Sequence, residues 1–501
     1  MKKLRFSKVL LVVSIFCAAT VIASAQTFTT LAYFNVTNGA GPVGPLVQGT
    51  NGNLYGTTLF GGTGSRCTPE FGCGSVFEMN SAGKVTALYS FCTLTGCVDG
   101  DSPEAGLMLG ANGNLYGTTF SGGLTGLGTV FEITPAGKLT TLYSFCSQIN
   151  SAGSCTNTDG INPEAGLAQG VDGDFYGTTH AGGTRRGGTV FRMTPSGALT
   201  IVYNFCSKKQ CADGAAPYAG LVQGSNGFFY GATSEGGAYN GGTIFEIGAA
   251  GRLTTLYSFC SQPNCADGDF PARTPIQATN GNFYGTTSGG GANSLPGGTI
   301  FEMTPEGVLT TIYSFCSQVE SGVICLDGKG PDSLVQATDG NFYGTTTLGG
   351  AKNAGTAFEI SATGQFTQLY SFCSKPGCSD GEYAGALAQL TNGTLYGLSD
   401  GGRTIDGCPS GCGTIFSLSL GLGPFVQAVP GFAEVGRVVG ILGNNLTGTT
   451  SVTFSGASAA FTVVSGTLIK ATVPSGATTG TIEVTTPGGT LSSNVAFQIV
   501  P

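Results

Sequence analysis

The dipeptide Tyr-Gly returns seven times, at Tyr55, Tyr116, Tyr176, Tyr230, Tyr284, Tyr343 and Tyr396, with spacings of 53 to 61 residues. This period constrains the fold more than any other feature. A unit of that size cannot bury its own apolar face and must stack on its neighbours. Each copy holds four short segments rich in β-branched and aromatic residues. Around Tyr284 they read TPIQA, NFYGTT, GTIFEM and LTTIYSF, the signature of strands bounded by turns. Asn-Gly or Asp-Gly precedes every Tyr-Gly strand, as at Asn226-Gly227 and Asp339-Gly340. The dipeptide tolerates the positive φ angles of a tight type I′ hairpin, so the first two strands are expected to be antiparallel. Pieces such as Thr304–Gly307 (TPEG) turn the third strand into the fourth.

Four antiparallel strands in each of seven units predict a β-propeller with one sheet per blade. A linear solenoid has shorter coils and no need of hairpin turns at fixed offsets. The ends of the array agree with a ring. Thr27–Phe34 (TFTTLAYF) matches a fourth strand without its three partners, and the last unit stops after its third strand, Gly413–Leu420 (GTIFSLSL). Composition fits as well. The 86 glycines and 10% charged residues are unusual for a globular chain, yet 41% hydrophobic residues is too many for disorder.

The units resemble the GloVer tandem repeats of bacterial exported proteins, through YGTT…GG and GTVFEIT cores over about residues 27 to 420. More loosely they are similar to kelch-like propeller blades. The resemblance implies an envelope location and no established chemistry. After Leu420 the cysteines stop and the pattern changes. Val429–Leu446, Val452–Gly456, Ala471–Gly489 and Val495–Val500 resemble an IPT/TIG immunoglobulin-like domain, which implies a β-sandwich used as a spacer or adhesive module. The expected fold class is therefore all-β: a seven-bladed β-propeller closed by the N-terminal strand, followed by an immunoglobulin-like β-sandwich. The expected boundaries are 1–25 for a signal peptide, 26–422 for the propeller and 423–501 for the IPT/TIG domain.

The signal peptide is read from Lys2, Lys3, Arg5 and Lys8, the apolar run Val9–Ile22 and the small residues Ala23-Ser24-Ala25. The run is too short for a membrane span, and bulky Phe16 before Cys17 does not suit a lipoprotein. Cleavage leaves 16 basic against 28 acidic residues, a net charge of about −12, so neither nucleic acid nor an anionic membrane is an expected partner. An exported chain without a transmembrane segment in its mature part is expected, in the extracellular space, the periplasm or at the cell surface. No sorting signal is read at Pro501.

Cleavage also removes Cys17 and leaves sixteen cysteines, all in local pairs: Cys67/Cys73, Cys92/Cys97, Cys146/Cys155, Cys206/Cys211, Cys260/Cys265, Cys316/Cys325, Cys373/Cys378 and Cys408/Cys412. Zinc sites would need four ligands each, and His180 is the single histidine. A redox motif would be C-x-x-C and would not recur six times. The pairs are read as structural disulfides in an oxidising compartment.

An Asp-Gly follows six of these pairs, at Asp99, Asp159, Asp213, Asp267, Asp327 and Asp380. Each is read first as a turn whose carboxylate satisfies nearby backbone N–H groups, and second as part of a ring of carboxylates on a ligand face. His180, Arg185 and Arg186 fall on the same face. That face carries the connections of variable length, where binding sites usually sit on a rigid scaffold. The glutamates Glu78, Glu132, Glu246, Glu302 and Glu359 form a weaker series, broken by Arg192 and Ser417.

No nucleophile elbow, P-loop or zinc-protease helix is present in the sequence, and no catalytic residue, metal or cofactor is assigned. The expectation is a non-catalytic binding or scaffold protein with a protein or polysaccharide partner. The alternative is a carboxylate-based carbohydrate-active enzyme, a glycoside hydrolase or lyase. Acids unique to one or two units would favour the enzyme; acids repeated in every unit favour the scaffold.

Overall fold

The computed structural model describes residues 26–64, 72–147, 156, 158–402, 408 and 411–500. The expected signal segment, Cys67 and Cys155 lie outside them. Between Thr27 and Ser419 the described strands form seven four-stranded antiparallel sheets. One consists of Ile276–Gln277, Phe283–Thr287, Thr299–Met303 and Leu309–Ser314, in that order. The last sheet takes its fourth strand from the other end of the repeat array: Thr27–Tyr33 pairs antiparallel with Thr414–Ser419, Thr27 opposite Ser419 and Tyr33 opposite Thr414.

The Tyr-Gly dipeptide has a packing reason. The tyrosine ring is buried, as at Tyr55, Tyr230 and Tyr284. The glycine lies under the phenylalanine ring of the third strand. A Cβ on Gly231 would meet Phe245 Cζ at 2.7 Å and Leu221 Cδ2 at 2.8 Å. In six of the sheets the third strand is buried at four of its five positions, and the sheets bury these faces on one another. A single core cluster takes Tyr176, Val190 and Phe205 from one sheet and Leu221, Phe229, Phe245 and Ile247 from the next. Each such side chain contributes about 1.5–3 kcal/mol. Phe28, on the N-terminal strand, stacks on Tyr370 at 3.8 Å and on Phe416 at 5.3 Å between centroids.

The hairpins differ from the type I′ expectation. Gly227 has φ +83° but Asn226 is not in the left-handed region, whereas a type I′ turn needs positive φ at both central residues. Instead the Gly227 N–H donates to the Gly224 carbonyl (2.9 Å) and the Gly224 N–H to the Phe228 carbonyl (2.8 Å). That is a three-residue loop, a type I turn followed by glycine in a bulge. The asparagine serves through its side chain, donating to the Tyr230 hydroxyl at 2.8 Å and accepting the Phe228 N–H at 3.2 Å.

The C-terminal region is a sandwich of two four-stranded sheets around Val426, Ile441, Val452, Phe454, Ile469, Val484 and Phe497. It is joined to the first-to-second-strand turns of the repeat array. The Phe425 N–H donates to the Thr391 carbonyl (3.0 Å), Asn444 to the Thr391 hydroxyl (2.6 Å), and Thr467 to the Thr50 carbonyl (3.1 Å). Among the described residues no helix is long and apolar enough to cross a membrane.

Candidate functional site

The Asp-Gly loops are built as clasps. Cys260 and Cys265 close a short loop as a disulfide, and Asp267 lies beneath it with no exposure. Its Oδ2 accepts the Tyr257 hydroxyl (2.8 Å), the Ser261 hydroxyl (2.8 Å) and the Ser261 N–H (3.0 Å), and its Oδ1 accepts the Gln262 N–H (3.2 Å). Asp99, Asp159, Asp213, Asp327 and Asp380 are likewise buried and accept from the equivalent tyrosine and hydroxyl. Burial by itself would raise the Asp213 carboxyl, but bonds from Ser207, Tyr203 and the Lys208 N–H outweigh it and hold the group below its usual range. Asp380 behaves alike. These carboxylates are committed to their own loops.

The described disulfides are Cys92–Cys97, Cys206–Cys211, Cys260–Cys265, Cys316–Cys325, Cys373–Cys378 and Cys408–Cys412. Cys73 and Cys146 are also disulfide-bonded. Described groups at ion-binding spacing are Cys73/Cys92/Cys97, Cys260/Cys265/Asp269 and Cys373/Cys378/Glu382. Every cysteine in them is in a disulfide and has no thiolate to offer.

The glutamate series also serves its own sheets. Glu132 accepts the Tyr116 hydroxyl (2.8 Å) and Asn114 (2.7 Å). Where Arg192 interrupts the series, the adjacent turn carries Asp172 and Asp174, and both pair with the guanidinium. The charge has been exchanged and the contact kept.

A different set of residues converges on a cavity of about 1380 Å³, lined by the first strand of every sheet. Six prolines lie in or just before these strands: Pro42, Pro103, Pro163, Pro217, Pro271 and Pro331. Each packs on a glycine of the preceding sheet, where a Cβ would lie 2.4–2.7 Å from the proline ring. The prolines thus occupy equivalent places, and the residues after them are Val43, Glu104, Glu164, Tyr218, Ala272 and Asp332. All six line the cavity. At this position the repeat does not repeat.

His180 joins them through the backbone. Ile161 and Ala181 form an antiparallel bridge, and the His180 N–H donates to the Asn162 carbonyl at 3.1 Å. This sets the imidazole beside Glu164, with Nδ1 2.9 Å from Oε1. The ring also packs on Tyr218 (centroids 4.3 Å apart, planes tilted by 32°), and Tyr218 in turn lies beside Phe270 (5.8 Å, 45°). Across the mouth, Arg273 Nη2 and Nε lie 2.9 and 3.1 Å from Asp332 Oδ2. The bond to Glu164 raises the His180 pKa against the opposing effect of burial. Burial, then the Glu164 charge, push Glu104 up to about 7, partly countered by His180. Arg185 and Arg186 are exposed in the same connection as His180.

The model of the Gloeobacter/Verrucomicrobia repeat matches residues 18–212 and 206–416. The chain belongs to this repeat family. The IPT/TIG domain model matches residues 424–499 of the same Gloeobacter/Verrucomicrobia repeat protein. No curated protein matches it. Among solved structures, a fungal alcohol oxidase of the AA5 family, in complex with copper, is 13% identical with a TM-score of 0.50; the match covers 95% of this chain and 99% of that one. A putative 6-phosphogluconolactonase from Bacteroides uniformis is 14% identical with a TM-score of 0.39, over 65% and 83% of the two chains. The first likeness concerns the fold alone.

In this Gloeobacter/Verrucomicrobia repeat protein, sequence reasoning singled out His180 and missed Glu104, Glu164, Tyr218, Arg273 and Asp332. The signal was present in the alignment of the units on their prolines, where the following residue changes from copy to copy.

Proposed function

We propose that this is an extracellular binding protein, and that its repeat array is a seven-bladed propeller (residues 26–422) closed by the N-terminal strand. A signal peptide (1–25) directs export and the IPT/TIG domain (423–501) acts as spacer. The pairing of Thr27–Tyr33 with Thr414–Ser419 and the contact of Pro42 with Gly413 support the ring. The disulfides fit an oxidising compartment. The ligand docks on the face of variable loops, at the cavity mouth. The observation that carries this reading is the convergence of the non-repeated residues Glu104, Glu164, His180 and Tyr218 there, while the sandwich is joined to the opposite side. The Asp-Gly turns stiffen the loops around the ligand. The test is a thermal-shift screen of the purified protein with glycans, amines and divalent cations. A ligand whose shift is lost in Glu164→Gln/Tyr218→Ala, and kept when the turns at Asp172 and Asp339 are altered, supports the site. The reverse pattern refutes it.

One observation favours a second reading, a carboxylate-based carbohydrate-active enzyme. Glu104 and Glu164 occur in two units only, and Glu104 is raised to about 7 beside Glu164, which suits a general acid near neutral pH. A polysaccharide-hydrolysis screen decides it. Release of reducing ends that Glu104→Gln abolishes supports the enzyme; no release from any substrate removes it.

A further inference from the structure

Three features of the cavity narrow the ligand beyond the binding reading above, on which this inference rests. First, two carboxylates at the mouth have a nitrogen partner, Glu164 with His180 and Asp332 with Arg273, while Glu104, beside Glu164, is raised to about 7 by burial and that charge. The mouth therefore offers an array of planar hydrogen-bonding groups held by their neighbours. Second, rings are left bare around it. Phe270 is 37% exposed and Tyr383 39% exposed, and Phe270 continues the row His180–Tyr218. Aromatic faces beside a few convergent polar groups suit a ligand with apolar faces and polar edges. Third, segments of the IPT/TIG domain reach the cavity, Gln427–Phe432 and Ser493–Ala496.

We infer that the cavity mouth binds the end of a neutral oligosaccharide chain, which enters with a sugar face on the Tyr218 and Phe270 rings and its hydroxyls donating to Glu104 and Glu164. The Glu164–His180 and Asp332–Arg273 pairs hold the acceptors in fixed directions, so little side-chain ordering is left for the ligand to induce. The IPT/TIG segments that reach the cavity stop a chain from threading through, which makes the site selective for termini over internal stretches.

The experiment is calorimetric titration of the purified, oxidised full chain with linear maltohexaose, cellohexaose, xylohexaose and mannohexaose, and with spermidine as a cationic control. At least one hexasaccharide is expected to bind. Tyr218→Ala and Glu164→Gln should each weaken it about tenfold or more, with unchanged melting temperature. Tyr218→Phe, which keeps the ring, should stay within about threefold of wild type. The bound hexasaccharide blocked at both ends with streptavidin-held biotin should no longer bind. Retained binding of the doubly blocked sugar overturns end recognition. Failure of all four sugars overturns the ligand class. Spermidine binding that is lost in Glu164→Gln, with no sugar binding, overturns the class while leaving the mouth as the binding site. Sugar binding that none of the mouth changes affects overturns both this inference and the binding-site reading.

Discussion

The loops after the fourth strands and the segments that lead into or begin the first strands lie on the same side of the repeat array, yet they are built by opposite rules. The Asp-Gly loops repeat six times with the same tyrosine, hydroxyl and buried carboxylate. The segments beginning at Pro42, Pro103, Pro163, Pro217, Pro271 and Pro331 repeat only their proline, and the next residue is Val, Glu, Glu, Tyr, Ala or Asp. Where the same polar residue recurs in unit after unit, it satisfies a need that those units share, which is closing their own loops. Where the backbone recurs and the side chain does not, the side chain meets no need that the units share.

The sharpest way to break this comparison is to cut a clasp. Asp267→Ala leaves the Tyr257 hydroxyl, the Ser261 hydroxyl and N–H and the Gln262 N–H without their acceptor. The expected loss is about 3 kcal/mol or more, read by denaturant unfolding. A change under about 1 kcal/mol would mean that the carboxylate is spare and free for a ligand.

Replacing Cys260 and Cys265 together by serine should cost about 2 kcal/mol, since a short loop leaves little chain entropy to remove. Peptide mapping of the oxidised wild type should find these two residues bonded to each other. A bond to another unit would break the local-loop account.

The mouth should behave differently. Glu164→Gln keeps the shape of the side chain, and the partly exposed His180–Glu164 pair is expected to be worth less than about 1 kcal/mol. A large loss of stability there would make Glu164 a structural residue like Asp267, and the contrast between the regions would fail.

The pH effects have opposite signs in the two regions. Asp213 and Asp380 lie below their ordinary value of 3.8 in the folded chain, so their contribution is present above that value and lost as pH falls below it. Glu104 is raised from 4.5 to about 7. The folded state holds that proton more tightly than the unfolded chain, and stability falls as pH rises from about 4.5 through 7. His180 is raised too and contributes in the same direction as pH passes its ordinary value. Melting curves of wild type and Glu104→Gln should converge at pH 4, with the variant declining less between pH 4.5 and 7.

Much of the architecture was legible in the chain because it is written seven times. Tyr-Gly, Asn-Gly or Asp-Gly and the cysteine pairs align without any structure, and the strand order follows from their offsets. The turn type was not legible. Asn-Gly is compatible with both a two-residue and a three-residue loop, and the longer one prevails because Asn226 can then reach both the Tyr230 hydroxyl and the Phe228 N–H.

The sequence by itself determined the all-β unit, its period, the local disulfides and the change of pattern after Leu420, since each depends on residues close together in the chain. Only the tertiary structure decided the site. Glu104, Glu164 and Tyr218 are separated by whole repeat units, and each alone is an unremarked residue after a proline. They meet because consecutive sheets stack, every proline seats on the preceding sheet's glycine, and the positions that follow are carried to one cavity. That convergence belongs to the packing of the sheets and is not contained in any single repeat.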